Sequence, residues 1–288
     1  MAASFTARIR VFYGRTASLP LLPTESHLET FSRLPASRTR KPPLLFVHGA
    51  YVDGWCWTPY FLPWFAAQGY PAHALSLRGH GKSDGAGMLF ASGLDDYAAD
   101  VERVAATLKE PPVLIGHSMG AAVVERMLAM HPIRAAVLLA PVPPTGIIPV
   151  ATRLAMERPD YIAHMVGFDP ARLSTDVLEA LRPYYFSDKV APAILAESVR
   201  HLAAESSRAI LDLSLRLHWL KPERRGAKLM VIGAGGDRIS TPEDVEATAR
   251  HHDVHATIVP GPAHMMMLDR DWQRVAQPIV RWLATLDA

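Results

Sequence analysis

The stretch "VLIGHSMGAAVVERML", residues 113–128, places a serine between two glycines where an apolar run changes to a helical pattern. The apolar run predicts a buried strand, and the spacing of apolar residues after it predicts a helix. Ser118 would then stand on the sharp turn between them, with its hydroxyl above the edge of a sheet. Gly116 and Gly120 fit such a turn because a side chain at either position would collide with a neighbouring element. The pattern favours a nucleophilic serine; a serine that only caps the helix is the alternative.

The rest of the chain continues this alternation of strand and helix patterns, without internal repeats. Such alternation is typical of an α/β fold, a mostly parallel sheet with helices on both faces. The patterns predict eight strands, at about 5–13, 27–34, 44–48, 71–77, 112–117, 134–140, 228–234 and 255–260, and helices near 55–68, 94–109, 119–131, 242–252 and 271–286.

One long interval, between Pro141 and Ala227, interrupts the alternation, because it contains helical patterns but no clear strand. It starts with the proline-rich "APVPPTGIIP" and ends with the charged "KPERRGAK", as expected for an excursion from a packed sheet. The sequence therefore predicts a core formed by residues 1–141 and 227–288, with a helical cap inserted at 142–226.

Composition narrows the class of protein. The 288 residues are 49% apolar, which is enough for a large core, and a net charge of +2 disfavours nucleic acid as a partner. The single cysteine, Cys56, cannot form an internal disulfide and fits a reducing compartment. The sequence shows neither a secretion signal nor a membrane span, so we expect a soluble, cytoplasmic protein; its oligomeric state is left open.

A serine hydroxyl becomes a useful nucleophile only with a base in reach and an acid to orient that base. Asp237 lies in a glycine-rich turn after one predicted strand, and His264 lies in a loop after the next. Because this order along the chain brings strand ends to one edge of a parallel sheet, we predict a triad of Ser118, Asp237 and His264. Asp169 and Asp176 in the insertion are rival acids, and a structural role for His264 is the alternative, since the chain has 13 histidines.

Acyl transfer also needs hydrogen-bond donors for the oxyanion of its tetrahedral intermediate. The backbone N–H groups of Met119, next to the serine, and of Ala50, in "HGAYVDGWCW" after the third predicted strand, are the candidates. Gly49 would let this loop bend close to the site. We expect His48 to fasten the loop by hydrogen bonding and not to transfer protons.

With these motifs in place, the chain resembles the α/β-hydrolase superfamily over nearly its whole length. The resemblance implies an α/β-hydrolase fold and a serine-nucleophile hydrolase, with Arg78, His80 and Asp84 as structural residues of a tight turn after the fourth strand. It rests on "HGA" at 48–50, "LRGHGKSD" at 77–84, "GHSMG" at 116–120, "GGDRIST" at 235–241 and "GPAHMMMLD" at 261–269.

Within this superfamily, "HGAYVDGWCW" is similar to the loop of plant methylesterases and of hydroxynitrile lyases. The lyases carry a threonine where this chain has Gly49, and a lysine where it has Met265 directly after the histidine. Both differences favour ester hydrolysis. Haloalkane dehalogenases and epoxide hydrolases are disfavoured, because their nucleophile is an aspartate.

The sequence thus predicts a serine esterase that acts on a small-molecule ester without cofactor or metal. A cofactor-free lyase, carbon–carbon hydrolase or perhydrolase could use the same triad, and a non-catalytic ligand receptor could keep the fold. The histidines of "HHDVH" at 251–255 are interpreted as a solvated helix end and not as metal ligands.

Apolar and aromatic side chains in the loop after His48 and in the insertion predict a pocket for small to medium hydrophobic esters. We expect multiply charged esters to be poor substrates. The predicted substrate-binding residues are Tyr51, Trp55, Met165, Phe168, Tyr185 and Met265; Trp57, Met156, Tyr161, Tyr184, Phe186 and Trp219 share their character.

Overall fold

The computed structural model of the protein describes residues 26–165, 168–170, 173–215 and 226–286. The predicted strand at 5–13 and Trp219 lie outside these ranges. The strands are β1 Thr30–Arg33, β2 Leu44–Val47, β3 Ala72–Leu75, β4 Val113–His117, β5 Ala135–Leu139, β6 Lys228–Ala234 and β7 Ala256–Val259. The helices are α1 Phe61–Ala67, α2 Leu94–Thr107, α3 Met119–Met130, α4 Ile147–Glu157, α5 Pro159–Met165, α6 Thr175–Tyr185, α7 Pro192–Arg200, α8 Ser207–Leu215, α9 Pro242–His251 and α10 Trp272–Ala284, with short 3₁₀ helices at Gly54–Trp57 and Ala86–Ala91.

Seven strands, among the described residues, form one sheet in the order β1-β3-β2-β4-β5-β6-β7. Strand β1 pairs antiparallel with β3 at one edge, and every other pairing is parallel. Parallel strands covered on both faces read as continuous apolar runs, and β2, β4 and β5 are buried at every position. One apolar cluster joins the sheet to α1 and α10, and a second joins its other face to α2, α3 and α9. The predicted α/β fold is therefore correct, with seven strands described where eight were predicted.

The predicted helix over 55–68 is wrong as a single element. The 3₁₀ helix ends at Trp57, and α1 begins at Phe61. Pro59 and Pro63 explain the break, because a continuous helix would need backbone N–H groups that proline lacks. In the observed helix Pro63 falls in the first turn, where the missing N–H costs nothing.

The chain between β5 and β6 contains five helices, α4 to α8, within the described ranges. Helices α4, α5 and α6 share a small apolar core, which includes Leu154, Tyr161 and Leu181, whereas Ala209 and Leu213 of α8 belong to the same apolar cluster as α2 and α3. Residues 201–206 separate α7 from α8 without forming a helix. No helix in the described part of the chain has the length and apolar character needed to cross a bilayer.

Candidate active site

Ser118 lies on the turn between β4 and α3, and its backbone has a φ of 53° and a ψ of −117°. A residue other than glycine is strained at such a positive φ. A Cβ atom added at Gly116 would lie 2.2 Å from the carbonyl oxygen of Gly120, and one added at Gly120 would lie 2.4 Å from the carbonyl oxygens of Val47 and His48. Only glycine fits at either position, and this is the strained turn that the sequence predicts.

Asp237 and His264 meet at the same edge of the sheet. Asp237 follows β6, His264 follows β7, and the carboxylate Oδ2 lies 2.8 Å from the imidazole Nδ1. Both side chains are buried. The other carboxylate oxygen accepts hydrogen bonds from the backbone N–H groups of Ile239 and Ser240, at 2.8 and 3.0 Å. The carboxylate is thus held by its own turn, and a neutral ring that donates from Nδ1 to Asp237 has Nε2 as its acceptor nitrogen.

Ser118 and His264 line one cavity of about 480 Å³. Within the described residues no hydrogen bond joins the serine hydroxyl to the imidazole; in unliganded enzymes such contacts are often long and shorten when substrate binds. The structure places all six predicted substrate-binding residues in the wall of this cavity: Tyr51, Trp55, Met165, Phe168, Tyr185 and Met265.

Other aromatic and methionine side chains of these segments divide between the cavity and the protein interior. Tyr161 and Phe186 also line the cavity. Trp57 instead packs beneath the sheet against Phe46, with ring centroids 5.0 Å apart, and Tyr184 lies in the core of the inserted helices. Met156 is 82% exposed. Apolar character alone did not separate these three from the residues of the wall.

The two proposed oxyanion donors, Ala50 and Met119, both line the cavity. Met119 is the first residue of α3, so its N–H has no carbonyl partner in a preceding helical turn. For the Ala50 N–H, no acceptor is found among the residues that the structure describes. Two backbone donors are therefore available at the wall beside Ser118.

His48 fastens the loop that carries Ala50, as predicted. Its Nδ1–H donates to the carbonyl of Gly49 at 2.8 Å, and its Nε2 accepts from the N–H of Leu77 at 2.9 Å. Burial, and to a lesser degree the neighbouring His80, lower the pKa of His48 to about 3. The ring therefore stays neutral and serves as a fixed hydrogen-bonding bridge.

His117, directly before the serine, has a role that the sequence analysis missed. Its Nε2–H donates to the backbone carbonyl of His264 at 2.9 Å. Burial, followed by the proximity of His264, lowers the pKa of His117 well below its usual value. On the other side, the N–H of Met265 donates to the carbonyl of Tyr185 at 2.8 Å. The backbone around His264 is thus held by β4 and by α6.

The turn after β3 is structural, as the resemblance implies. The Arg78 guanidinium makes two hydrogen bonds to Asp100, at 3.0 and 2.8 Å. His80 Nε2 lies 3.2 Å from a carboxylate oxygen of Glu205, a residue of the inserted segment. This pairing leaves no local signal in the sequence, because His80 and Glu205 lie 125 residues apart.

The histidines at 251–255 begin at the end of α9, as predicted. His252 is buried, and its Nε2 lies 2.7 Å from the buried Glu125 carboxylate. The prediction of a solvated side chain is therefore wrong for His252. Among the described residues, no group of three histidine, cysteine or acidic side chains is arranged to hold a metal ion.

The chain is similar in sequence and in structure to known hydrolases. A pyrethroid hydrolase from Sphingobium wenxiniae is 32% identical over 96 residues, which span 33% of this chain and about a third, 34%, of that protein. A thermophilic esterase from Thermogutta terrifontis superposes with a TM-score of 0.69 at 19% identity, over 92% of this chain and 96% of the esterase. An enol-lactonase from Burkholderia xenovorans gives 0.64 at 17%, over 91% and 98%. Residues 44–277, from β2 into α10, match the alpha/beta hydrolase family, and the protein belongs to that family.

Proposed function

We propose that the protein is a serine hydrolase that cleaves small to medium hydrophobic carboxylic esters through an acyl-enzyme. The observation that carries this proposal is the Asp237–His264 hydrogen bond beside the strained Ser118, at the wall of a largely apolar cavity. Acyl transfer by such a triad uses only these side chains, backbone donors and water.

In the first step, His264 Nε2 takes the Ser118 proton while the serine Oγ attacks the ester carbonyl carbon. Negative charge moves to the carbonyl oxygen, where the N–H groups of Ala50 and Met119 stabilise it. Asp237 stabilises the imidazolium that forms. The intermediate then collapses, and the alcohol leaves with the proton from His264.

In the second step, His264 takes a proton from water as that water attacks the acyl-enzyme carbonyl. The same N–H groups stabilise the second oxyanion. Collapse of this intermediate breaks the bond to Ser118 Oγ, which recovers its proton from His264. The carboxylic acid product leaves, and the enzyme is regenerated.

The hydrophobic specificity follows from the cavity wall. Side chains from α4 to α8 form much of this wall, and most of them are apolar. We therefore propose that residues 142–226 act as a cap over a catalytic core of 1–141 and 227–288. Such a site binds apolar acyl or aromatic groups and uses a few polar groups to orient them. The similarity to a pyrethroid hydrolase makes a bulky pyrethroid ester a useful probe.

Gly49 and Met265, the two positions at which this chain differs from the hydroxynitrile lyases, support ester hydrolysis. A Cβ at Gly49 would lie 2.9 Å from the His117 ring nitrogen, so a threonine does not fit without a shift. Met265 is only 4% exposed and packs in the apolar core cluster. A lysine there would bury a charge at high cost.

A fluorophosphonate probe and an ester panel test the proposal. We expect the purified protein to be labelled by the probe and to hydrolyse acetate, hexanoate, aromatic and pyrethroid esters. Ser118→Ala should not be labelled, and its ester turnover should fall on the order of 10⁴-fold or more. Ser214→Ala, outside the cavity on α8, is the matched control and should retain both labelling and turnover.

Near-normal ester turnover by folded Ser118→Ala would contradict the assignment. Faster turnover in parallel diketone, cyanohydrin or peroxide assays would favour the other triad chemistries. A wild-type protein that is neither labelled nor active would contradict the proposal and favour the non-catalytic ligand receptor.

A further inference from the structure

The loop that carries Ala50 is strained. Tyr51, the next residue, has a φ of 65°, in the left-handed region that residues other than glycine rarely adopt. A conformation of this kind persists only where the surrounding structure holds it. We call residues 49–53 the oxyanion loop, and the contacts that hold it decide where the Ala50 N–H points.

A further set of contacts to this loop comes from the inserted segment between β5 and β6. Residues 201–206, between α7 and α8, are called the clamp segment here. The N–H of Ala203 donates to the carbonyl of Tyr51 at 2.9 Å. His201 Nδ1 lies 2.9 Å from Asp53 Oδ2, and the His201 ring stacks on Trp55 with centroids 4.4 Å apart and planes within 2°.

The clamp segment is in turn anchored in the core by Glu205, a buried carboxylate. Tyr97 donates its hydroxyl to one oxygen of Glu205 at 2.7 Å, and His80 Nε2 lies 3.2 Å from the other. The next residue, Ser206, donates its hydroxyl to the carbonyl of Ser92 at 2.6 Å. These buried contacts fix the position of the clamp segment relative to the core.

The peptide that bears the proposed donor is therefore held from two directions. Its carbonyl, on Gly49, accepts the hydrogen bond from His48 in the core. The following residue, Tyr51, is held from the other side by Ala203. Because Ala50 lies between these two fixed points, its N–H has little freedom to rotate away from the cavity.

We propose that the clamp segment positions the oxyanion hole: the Ala203 N–H keeps Tyr51 in its left-handed conformation and so directs the Ala50 N–H toward the reacting carbonyl. Ala203 and Glu205 are positioning residues, and neither lines the cavity. This inference rests on the proposed function. It means that the inserted helices contribute to the rate of the reaction and not only to substrate choice.

A positioning role and a purely structural role predict different kinetics. Donors to the oxyanion act on the transition state, so a misdirected Ala50 N–H lowers kcat while KM for a short ester stays nearly constant. Loss of pocket shape would instead raise KM. A transition-state analogue, such as a boronic acid that forms a tetrahedral adduct with Ser118, should report the same difference.

The deciding variant is Ala203→Pro, which removes the backbone donor, with Ala203→Ser as the matched control that keeps it. We expect Ala203→Pro to lower kcat on an acetate ester by about 10²-fold, the effect of losing one oxyanion donor, and to weaken boronic acid binding similarly. KM should change less than about threefold, and Ala203→Ser should stay within about twofold of wild type throughout.

Equal kcat for folded Ala203→Pro and Ala203→Ser would overturn the proposal, as would a change confined to KM. If Ala203→Pro does not fold, Glu205→Gln decides, because it loosens the anchor while keeping the shape of the side chain. We expect Glu205→Gln to lower kcat at constant KM, and an unchanged kcat would count against positioning. Failure of the proposed function is seen separately, as ester turnover that survives Ser118→Ala.

Discussion

Asp237 uses its two carboxylate oxygens for different tasks. One oxygen orients His264, and the other closes the turn after β6 by accepting two backbone N–H groups. The loop that carries Asp237 therefore fixes the orientation of its carboxylate toward the imidazole. Asp169, a rival on sequence alone, is exposed and does not line the cavity.

Replacing Asp237 by asparagine should therefore cost far more activity than the same change at Asp169. An amide in place of the carboxylate favours the wrong imidazole tautomer, and we expect Asp237→Asn to lose on the order of 10³ to 10⁴ in kcat on an activated ester. Asp169→Asn should stay within about twofold. A larger loss in Asp169→Asn, with both proteins shown to be folded by circular dichroism, would reverse the assignment of the acid.

At the scale of elements, the connection between α7 and α8 places the Glu205 carboxylate beside His80 in the core. Burial alone would raise the pKa of Glu205 and lower that of His80, but their mutual attraction outweighs it, so the pKa of Glu205 is lowered and that of His80 is raised. The Glu205 contribution to stability is complete above its ordinary pKa of 4.5. The His80 contribution is complete below its ordinary pKa of 6.5, and is lost as pH rises through the raised pKa.

Glu205→Gln should therefore destabilise the protein most between pH 4.5 and 6.5, where both partners are charged. We expect a loss of about 2–3 kcal/mol in the free energy of unfolding at pH 5.5, and a smaller loss at pH 9, measured by urea unfolding. Glu110→Gln, at an exposed position, is the control and should change stability by less than about 0.5 kcal/mol. An equal loss at both pH values would show that charge plays no part.

Sequence reasoning located the elements and residues whose signals are local. Strands β2, β4 and β5 read as apolar runs because both of their faces are buried, and the glycines around Ser118 identify its turn. Contacts between distant parts of the chain leave no such signal. The bond from His117 to the His264 carbonyl joins residues 147 positions apart, and nothing near Ala203 in the sequence indicates that it meets Tyr51.

Across the whole molecule, the cavity lies where the carboxyl edge of the sheet meets the inserted helices. Phe168, on the insertion, contacts Tyr51 of the oxyanion loop edge to face, with ring centroids 5.3 Å apart. Both rings line the cavity. The proposed binding surface is thus assembled from segments that are remote in sequence.

If this surface binds the acyl chain, kcat/KM should rise with acyl length until the cavity is full. Each methylene that becomes buried contributes about 0.8 kcal/mol, or about fourfold. We expect Phe168→Ala to flatten this increase, so that kcat/KM falls more for long acyl chains than for acetate. Met156→Ala, at an exposed position of α4, should alter neither. A flat profile in the wild type, or a preference for dianionic esters, would refute a hydrophobic acyl site.

Strands β5 and β6 are paired neighbours, with Ala135 opposite Lys228, although the inserted helices separate them along the chain. Because the two strands are parallel, the insertion leaves after Leu139 at the carboxyl edge of the sheet and returns to Lys228 at the amino edge. The inserted chain must therefore span the length of these strands, but a change in the length of so long a connection costs little, because closure entropy grows only slowly with loop length. Natural recombination or laboratory evolution can therefore explore new pocket shapes within residues 140–227 while strand register is inherited unchanged.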